Sequence, residues 1–365
     1  MGINKLGLGS NRDASLTRTR HEKPPRRVTM TDVARLAGCS QATVSFVLNN
    51  AAGVKISAET RAKVVEAARS LGYGALSLIH RPHLAPMRSG SIGFLCDQLA
   101  TSPESVNAIE GARQACWEDG VTILVTQTMG NPEMERKAVE TMLRSGIDGL
   151  IYMTIFTRQV VLPAFLHDLP VPVVLLNCHS ADHAFPAVVP DEVAGGLAAT
   201  EALLALGHRR IATIVGEPFM PAAQDRLKGY RKALARAGID YDAQLVGEGN
   251  WSPTSGFEAT QRFLGLKERP TAFFCQNDKM ASGCYNALRD AGLAIPGDVS
   301  VIGYDDDELC RHLRPQLSTL ILPHRAMGAW AIGRLAQPRT EKTHALTKMD
   351  CNLIERESLA PIMSA

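Results

Sequence analysis

The sequence has no segment that would carry the chain into or across a membrane. Its 365 residues contain no run of 18 apolar residues, so we expect no transmembrane helix. The stretch that follows Met1 is polar and basic and lacks an apolar core. We therefore expect no secretory signal and a cytoplasmic location.

The sequence also lacks the motifs of several enzyme and metal-binding classes. Eight cysteines are scattered without a CxxC pair, which argues against a zinc site or a disulfide framework and favours buried, reduced thiols. We find no phosphate-binding loop, no GxGxxG, no GxSxG and no HExxH. His179 and His183 lie close together but have no third ligand at a matching spacing. We therefore predict a protein that is not an enzyme and that uses no metal or cofactor.

The chain has no strong net charge, but this total combines a basic N-terminal part with an acidic remainder. The whole chain carries a formal charge of +2. Residues 1–90 contain 14 Lys and Arg against 5 Asp and Glu, a charge of +9, and the remaining 275 residues carry −7. A basic head on an acidic body indicates a module that binds a polyanion, joined to a part with another task.

Composition and periodicity divide the chain into four segments. Residues 1–27 have no periodicity and are predicted to form a disordered basic arm. Residues 28–76 contain three short helical patterns, and residues 77–90 form a proline-containing linker. In residues 91–360, short apolar runs alternate with amphipathic stretches, which predicts two α/β lobes with parallel sheets flanked by helices.

The basic head has the pattern of a helix-turn-helix. A first helix is predicted from about Met30 to Gly38, whose glycine suits a tight turn. Ser40 then caps a second helix, Gln41–Leu48, and Ser57 caps a third. Two helices joined by a short turn are typical of a module whose second helix enters the DNA major groove. A three-helix interaction module without DNA binding is the alternative.

The predicted DNA contacts lie on the second helix and beside it. Gln41 can bond adenine with both ends of its amide, and Ala42 or Thr43 can touch a thymine methyl group. Other polar side chains could reach phosphates instead. The predicted DNA-contacting residues are Thr29, Thr31, Gln41, Ala42, Thr43, Ser45, Phe46 and Asn49, with Leu84 in the linker.

These residues carry a family resemblance. The stretch VTMTDVARLAGCSQATVSFVLNN, followed by ISAETRAKVVEAARSLGY, resembles the DNA-binding domain of the LacI/GalR (lactose-repressor) family of bacterial transcription regulators. The resemblance covers residues 28–73 most specifically and continues through the rest of the chain to LIERESLAP. It implies a two-lobed body of the periplasmic-binding-protein fold, an effector cleft between the lobes, and a homodimer on operator DNA.

The head departs from the family pattern at two places. Phe46 stands where the family often has arginine, which removes a common guanine-reading side chain and leaves the operator sequence open. The linker contains Pro82 and Pro86, which do not favour the short hinge helix that the family usually has there. Leu84 is a candidate wedge for the minor groove, but a plain flexible linker fits equally well.

The candidate effector residues follow predicted strands or begin predicted helices. The resemblance implies that Asp191, Arg226, Asn277 and Asp305 line the cleft, with Trp251 stacked on the ligand and Asp97, Lys279 and His324 at variable positions that tune effector choice. A guanidinium and carboxylates can hold neighbouring sugar hydroxyls, and an aromatic face suits the apolar side of a pyranose.

Each candidate also has a structural alternative. Asp191 could be only a helix cap. Arg226 and Asp305 could form a structural ion pair, and Trp251 could be a lid or core residue. Asp97, Lys279 and His324 could simply be solvated at the surface.

The predicted function is a ligand-responsive, DNA-binding transcriptional regulator associated with the nucleoid. It most resembles a repressor of a carbohydrate-utilisation operon that a sugar-type effector releases. A purine-responsive regulator of the same family is the alternative, because part of the family senses purines. A sugar-binding transport protein would need a secretory signal and no basic head, which is the reverse of this sequence. The C-terminus shows no heptad pattern, so a dimer is favoured over a tetramer.

Overall fold

The structure is a computed structural model that describes residues 30–48, 56–70, 90–99, 103–337 and 343–362. The chain divides into two units, Met1–Arg81 and Pro82–Ala365. The division falls inside the segment predicted as a linker, most of which lies outside the described residues. No helix among the described residues is long and apolar enough to cross a membrane.

The described part of the first unit consists of three helices, α1 (Met30–Ala37), α2 (Gln41–Leu48) and α3 (Ala58–Ser70). Val33, Val44, Val47 and Val64 are fully buried and form its small core.

The ends of these helices are set by local residues. Gly38 has a φ of +65°, a left-handed conformation that glycine adopts without strain, and it ends α1. The backbone N–H of Thr43 donates to Oγ of Ser40 at 3.1 Å, and that of Thr60 donates to Oγ of Ser57 at the same distance. Both caps predicted from the sequence are therefore present.

The second unit contains two six-stranded sheets, each forming the centre of one lobe. The N lobe has the strand order β11-β5-β4-β3-β1-β2. Its strands are β1 (Ser91–Cys96), β2 (Thr122–Gln127), β3 (Ile147–Val160), β4 (Val173–Ser180), β5 (Ala187–Pro190) and β11 (Leu346–Met349). Its helices are α4 (Pro103–Cys116), α5 (Pro132–Arg144) and α10 (His324–Leu335).

The C lobe repeats this arrangement with the order β12-β10-β9-β8-β6-β7. Its strands are β6 (Ile211–Val215), β7 (Val246–Glu248), β8 (Ala272–Cys275), β9 (Ser300–Asp305), β10 (Ser318–Ile321) and β12 (Leu353–Ile354). Its helices are α6 (Glu192–Ala205), α7 (Pro221–Arg236), α8 (Pro253–Leu264) and α9 (Asp278–Asp290). The strand pairs of both sheets are parallel except for β10 with β12.

Helices cover both faces of each sheet, which explains why the central strands are apolar along their whole length. All four residues of β8, AFFC, are buried, as are all five of β6, IATIV. Two apolar clusters per lobe form the core, one on each face of the sheet. The chain crosses between the lobes three times, from β5 to α6, from β10 to α10 and from β11 to β12.

Several sequence-based element predictions need correction. The final strand, predicted as Leu353–Ser358, is only Leu353–Ile354, and its continuation bonds through single contacts such as the N–H of Val301 to the carbonyl of Ser358 at 3.0 Å. The strand predicted near Ala243–Gly247 begins as a short 3-10 helix, Ala243–Leu245, before β7. Strand β11 was not predicted, because its residues LTKM are only half-buried at a sheet edge.

Candidate functional site

The predicted DNA-reading surface falls on α2. Gln41 is its first residue and is exposed, as a side chain that reads base edges must be. The hydroxyl of Thr43 lies 2.9 Å from that of Ser40, so it takes part in the cap. Thr29, Asn49 and Leu84 lie outside the described residues, and so do the side chains of Thr31, Ala42, Ser45 and Phe46.

The second unit contains a cavity of about 210 Å³ between its two lobes. The N lobe contributes Ile155, Phe156 and Thr157 from β3, together with residues at the start of α4 and on β4. The C lobe contributes residues of α6, α7 and α9 and the segment after β9. Four of the predicted effector residues, Arg226, Trp251, Asn277 and Asp305, line this cavity, as do the weaker candidates Lys279 and His324.

Arg226 is the most heavily bonded side chain at the cavity. Its Nε and Nη2 donate to the two carboxylate oxygens of Glu192 at 2.8 and 2.9 Å, in a fully buried ion pair. Its Nη1 lies 3.5 Å from Oδ1 of Asp305 and also donates to the carbonyl of Gln276. Burial alone would lower the pKa of Arg226, but the combined attraction of Glu192, Tyr304 and Asp305 raises it, so the guanidinium stays charged.

Two aromatic rings lie close to this guanidinium. Its Cζ is 3.7 Å from the ring centre of Tyr304 and 5.8 Å from that of Trp251. Trp251 has a φ of +64°, and its carbonyl accepts a hydrogen bond from Nδ2 of Asn277 at 3.0 Å. A Cβ on Gly216 would lie 1.9 Å from the Trp251 ring, so only glycine leaves room for it. Trp251 is thus held in an unfavourable backbone conformation at the cavity, which is common at ligand sites.

Asn277 and Asp305 are fixed at the ends of their strands. Asn277 follows β8 and caps α9, since its Oδ1 accepts the N–H of Met280 at 2.8 Å. Asp305 ends β9 with a φ of +110°, a second strained residue at the cavity. Burial raises the pKa of Asp305, against the lowering effect of Arg226, and the nearby carboxylate of Glu104 raises it further.

Two predicted effector residues do not line the cavity. Asp97 follows β1 and accepts hydrogen bonds from the N–H of Ile155 and from Nη2 of Arg158, both at 2.8 Å. Asp191 caps α6 by accepting the N–H of Ala194 at 3.1 Å, the alternative that the sequence left open for it. Both side chains therefore have structural partners and support the cavity from outside.

The sequence reasoning missed several cavity residues, of which three carry polar groups important to the site. They are Glu104 at the start of α4, Asn177 in β4 and Glu192 at the start of α6. Glu192 carried a readable signal, because it is the first helical residue directly after a strand and a cap. Glu104 and Asn177 did not, since nothing in their local sequence distinguishes them from a solvated or a core residue.

Two polar atoms at the cavity have no hydrogen-bond partner among the described residues. They are Oε2 of Glu104 and Nε2 of His324, and His324 is only 2% exposed. Burial, reinforced by the charge of Arg226, lowers the pKa of His324 to about 3, so its imidazole is neutral at physiological pH. Buried polar atoms normally have partners, so these two are available to a bound molecule.

The lining carries more acid than base. Four carboxylates, those of Glu104, Glu192, Asp305 and Asp307, face two cations, Arg226 and Lys279. Within the described residues, no group of three His, Cys, Asp or Glu is placed to hold a metal ion. The arrangement can form many hydrogen bonds with a small polar molecule, but it contains no activated nucleophile.

The two units together define a class of protein. A helix-turn-helix unit and a two-lobed unit with a small polar cavity, present in one chain, characterise a DNA-binding regulator that responds to a small molecule. The family profile described as "Bacterial regulatory proteins, lacI family" matches residues 29–75, and the one described as "Periplasmic binding protein-like domain" matches residues 200–359. The chain belongs to the LacI family of bacterial regulators.

Comparison with individual proteins gives the same family. The HTH-type transcriptional repressor PurR of Photobacterium profundum is 32% identical over 333 residues, which cover 91% of this chain and 98% of that protein. The ribose operon repressor of Escherichia coli strain K12 is 34% identical over 315 residues, 86% of this chain and 94% of that protein. A solved structure of the lac repressor dimer, bound to operator and the anti-inducer ONPF, has a TM-score of 0.63 and 29% identity, with 92% of this chain and 100% of that chain covered.

These findings confirm the predicted family, the fold class and the function class, a ligand-responsive DNA-binding regulator. The segment boundaries and the roles of the individual site residues stay predictions.

Proposed function

We propose that the protein is a dimeric repressor that binds operator DNA through α2 and leaves it when a small neutral sugar occupies the cavity between the lobes. The observation that carries this proposal is a small cavity whose apolar lining is interrupted by polar and charged groups, those of Arg226, Asn277 and Asp305 among them, with Trp251 beside them. The protein acts by binding and carries out no reaction, needs no cofactor, and works in the cytoplasm, where its operator lies.

The charge of the cavity supports an uncharged effector. Glu192 neutralises Arg226 and burial raises the pKa of Asp305, so Glu104 and Asp307 face only Lys279, and a phosphate or carboxylate ligand would meet net repulsion. Sugar hydroxyls both donate and accept, so they can bond the unpartnered Oε2 of Glu104 and Nε2 of His324. The Trp251 ring offers an apolar face to a pyranose or furanose.

The volume of the cavity supports a single sugar ring. Sites for drug-sized ligands enclose roughly 300–1,000 Å³. The cavity here measures about 210 Å³. A monosaccharide is therefore favoured over a longer saccharide.

A purine base is the second candidate. It is supported by the 32% identity with the repressor PurR across 98% of that protein's length. A planar base could stack on Trp251 and bond the carboxylates through its N–H groups. It lacks, however, the several hydroxyls that the acceptor-rich lining would hold.

The test is fluorescence anisotropy on a labelled duplex that covers the DNA flanking the protein's own gene. Probes are D-ribose, D-glucose and D-galactose, their phosphates, adenine and guanine. A neutral sugar should weaken DNA binding about 5- to 150-fold, the range of ordinary allosteric coupling. A response to the bases alone would support the second candidate, and a response to the phosphates alone, or to no probe, would contradict the proposal.

A matched pair of variants links that response to the cavity. Glu104→Gln changes an acceptor that has no protein partner, so it should not disturb folding. It should raise the sugar concentration needed for half release about 10-fold, because a hydrogen bond to a charged group is lost. Glu118→Gln removes the same charge from an exposed site just after α4 and should leave that concentration unchanged.

A further inference from the structure

Strand β3 carries a large bulge where it borders the cavity. Met153 pairs with Leu176 of β4, and the next pair along is Arg158 with Cys178. Four residues of β3, Thr154–Thr157, therefore stand opposite the single residue Asn177. An ordinary bulge opposes two residues to one, so this one is unusually wide, and three of its four residues line the cavity.

The side chain of Asn177 fills the space that regular strand pairing would occupy. Its Nδ2 donates to the carbonyls of Thr154 at 3.0 Å and Ile155 at 2.9 Å. Its Oδ1 accepts the hydroxyl of Thr157 at 2.7 Å. Asn177 is 1% exposed and has a φ of +60°, a conformation that asparagine tolerates better than most residues. One side chain thus satisfies three groups that the bulge would otherwise leave unpaired.

Asp97 holds the same bulge from the neighbouring strand. Its Oδ1 accepts the N–H of Ile155 and its Oδ2 accepts Nη2 of Arg158, both at 2.8 Å. Within the bulge, the hydroxyl of Thr154 lies 2.9 Å from the carbonyl of Phe156. The backbone is therefore tied from both sides, whereas the Phe156 ring remains 42% exposed at the cavity.

We propose that Asn177 and Asp97 are positioning residues that hold Thr154–Thr157 as a fixed wall of the effector cavity, and that Phe156 on this wall packs against the apolar face of the effector. The proposal rests on the proposed function for the identity of that ligand. It explains why Asp97, predicted to bind the effector, lies outside the cavity: it acts on the ligand through the wall.

Hydrogen exchange of the ligand-free protein is the first test, because it needs no effector. Asn177→Gly keeps the left-handed backbone accessible, and Asn177→Asp keeps the acceptor for Thr157; both remove the two amide donors. Amides of residues 154–158 should exchange about 10-fold faster in both variants. Ser180→Ala, which removes a 2.6 Å hydrogen bond to Asp182 from the same strand, should not change them. Unchanged exchange in both Asn177 variants would overturn the proposal, whether or not any sugar binds.

Binding of D-ribose and D-glucose, measured by titration calorimetry, is the second test. Asn177→Gly and Phe156→Ala should each weaken binding about 10-fold, and the double variant should be little weaker than Phe156→Ala alone. A residue with only a structural role would give independent, additive losses instead. Additive losses, or faster exchange with unchanged sugar affinity, would therefore contradict the proposal that this wall holds Phe156 for sugar binding. If D-ribose, D-glucose and D-galactose all fail to bind the unaltered protein, the proposed function fails, and the exchange result alone decides the positioning role.

Discussion

The buried ion pair at the cavity gives the sharpest stability prediction. Glu192→Gln preserves the shape of the side chain but removes the charge that faces Nε and Nη2 of Arg226 at 2.8 and 2.9 Å. Both side chains are at most 5% exposed, so water cannot replace the lost partner. Asp305, at 3.5 Å from Nη1, is too distant to compensate fully.

The expected loss follows from the burial. Removing one partner of a buried pair costs about 3–5 kcal/mol, because the remaining charge is left uncompensated in a medium of low polarity. For a unit of this size, 1 kcal/mol shifts the melting temperature by about 2–4 °C, so the predicted decrease is about 6–20 °C.

Helix α6 offers a matched control for this change. Glu201 lies further along α6 and forms an ion pair with Arg236 at 2.9 Å, nearly the same distance, but both side chains are exposed. Exposed pairs contribute about 0–1 kcal/mol, so Glu201→Gln should lower the melting temperature by at most about 4 °C. Calorimetric melting of the two variants compares buried and exposed pairs on one helix.

Replacing both buried partners, as Glu192→Leu with Arg226→Met, should restore most of the lost stability. Equal decreases for the two Glu→Gln variants would refute the reasoning.

Three further predictions concern helix packing, pH and DNA. Gly196→Ala should destabilise the protein by about 1–3 kcal/mol, because the added Cβ would lie 2.2 Å from a backbone carbonyl oxygen of α7. Gly333→Ala has open space around it and should stabilise the protein by about 0.5–1 kcal/mol. Denaturant melts compare the two variants. The folded pKa of His324 lies below its unfolded value, so its contribution to stability is present above pH 6.5 and is lost as pH falls toward about 3. Between pH 6.5 and 4, the free energy of unfolding of His324→Gln should therefore fall by up to about 3 kcal/mol less than that of the unaltered protein. Parallel pH curves for the two proteins would contradict the assignment. Gln41→Ala should change the preferred operator bases without altering the salt dependence of binding, whereas deletion of residues 1–27 should flatten that dependence; a competition assay across salt concentrations separates the two.

The helix ends of the N-terminal head could be predicted from local sequence alone. Gly38, Ser40 and Ser57 act through their own backbones or through residues three positions away, so their effects are visible in the sequence. The alternation of apolar runs and helices predicted the two parallel sheets for the same reason. Polar residues directly after the strands, such as Asn277 and Asp305, were therefore found at the cavity.

Features that depend on contact between distant segments could not be predicted. The run GLIYMTI reads as a short apolar strand, and only the register of β3 against β4 shows the four-residue bulge at its end. Asp97 and Asn177 bond to that bulge from other strands, so the sequence around each residue does not reveal its role. The sequence offered Asp305 as the alternative ion-pair partner of Arg226, yet the closest charged partner is Glu192, 34 positions earlier, because α6 and α7 pack side by side.

The position of the cavity relative to the crossovers explains how a small molecule could control the lobes. Glu192 begins α6 directly after the chain leaves the N lobe, and His324 begins α10 directly after it returns. Both line the cavity, so a ligand touches two of the three crossing segments as well as both lobes. A ligand shifts a conformational equilibrium only by the difference between its binding free energies for the two states. A 100-fold effect on operator affinity requires a difference of about 2.7 kcal/mol, roughly two hydrogen bonds to charged groups. The unpartnered Nε2 of His324 is placed to supply part of that difference, whereas both carboxylate oxygens of Glu192 already accept from Arg226.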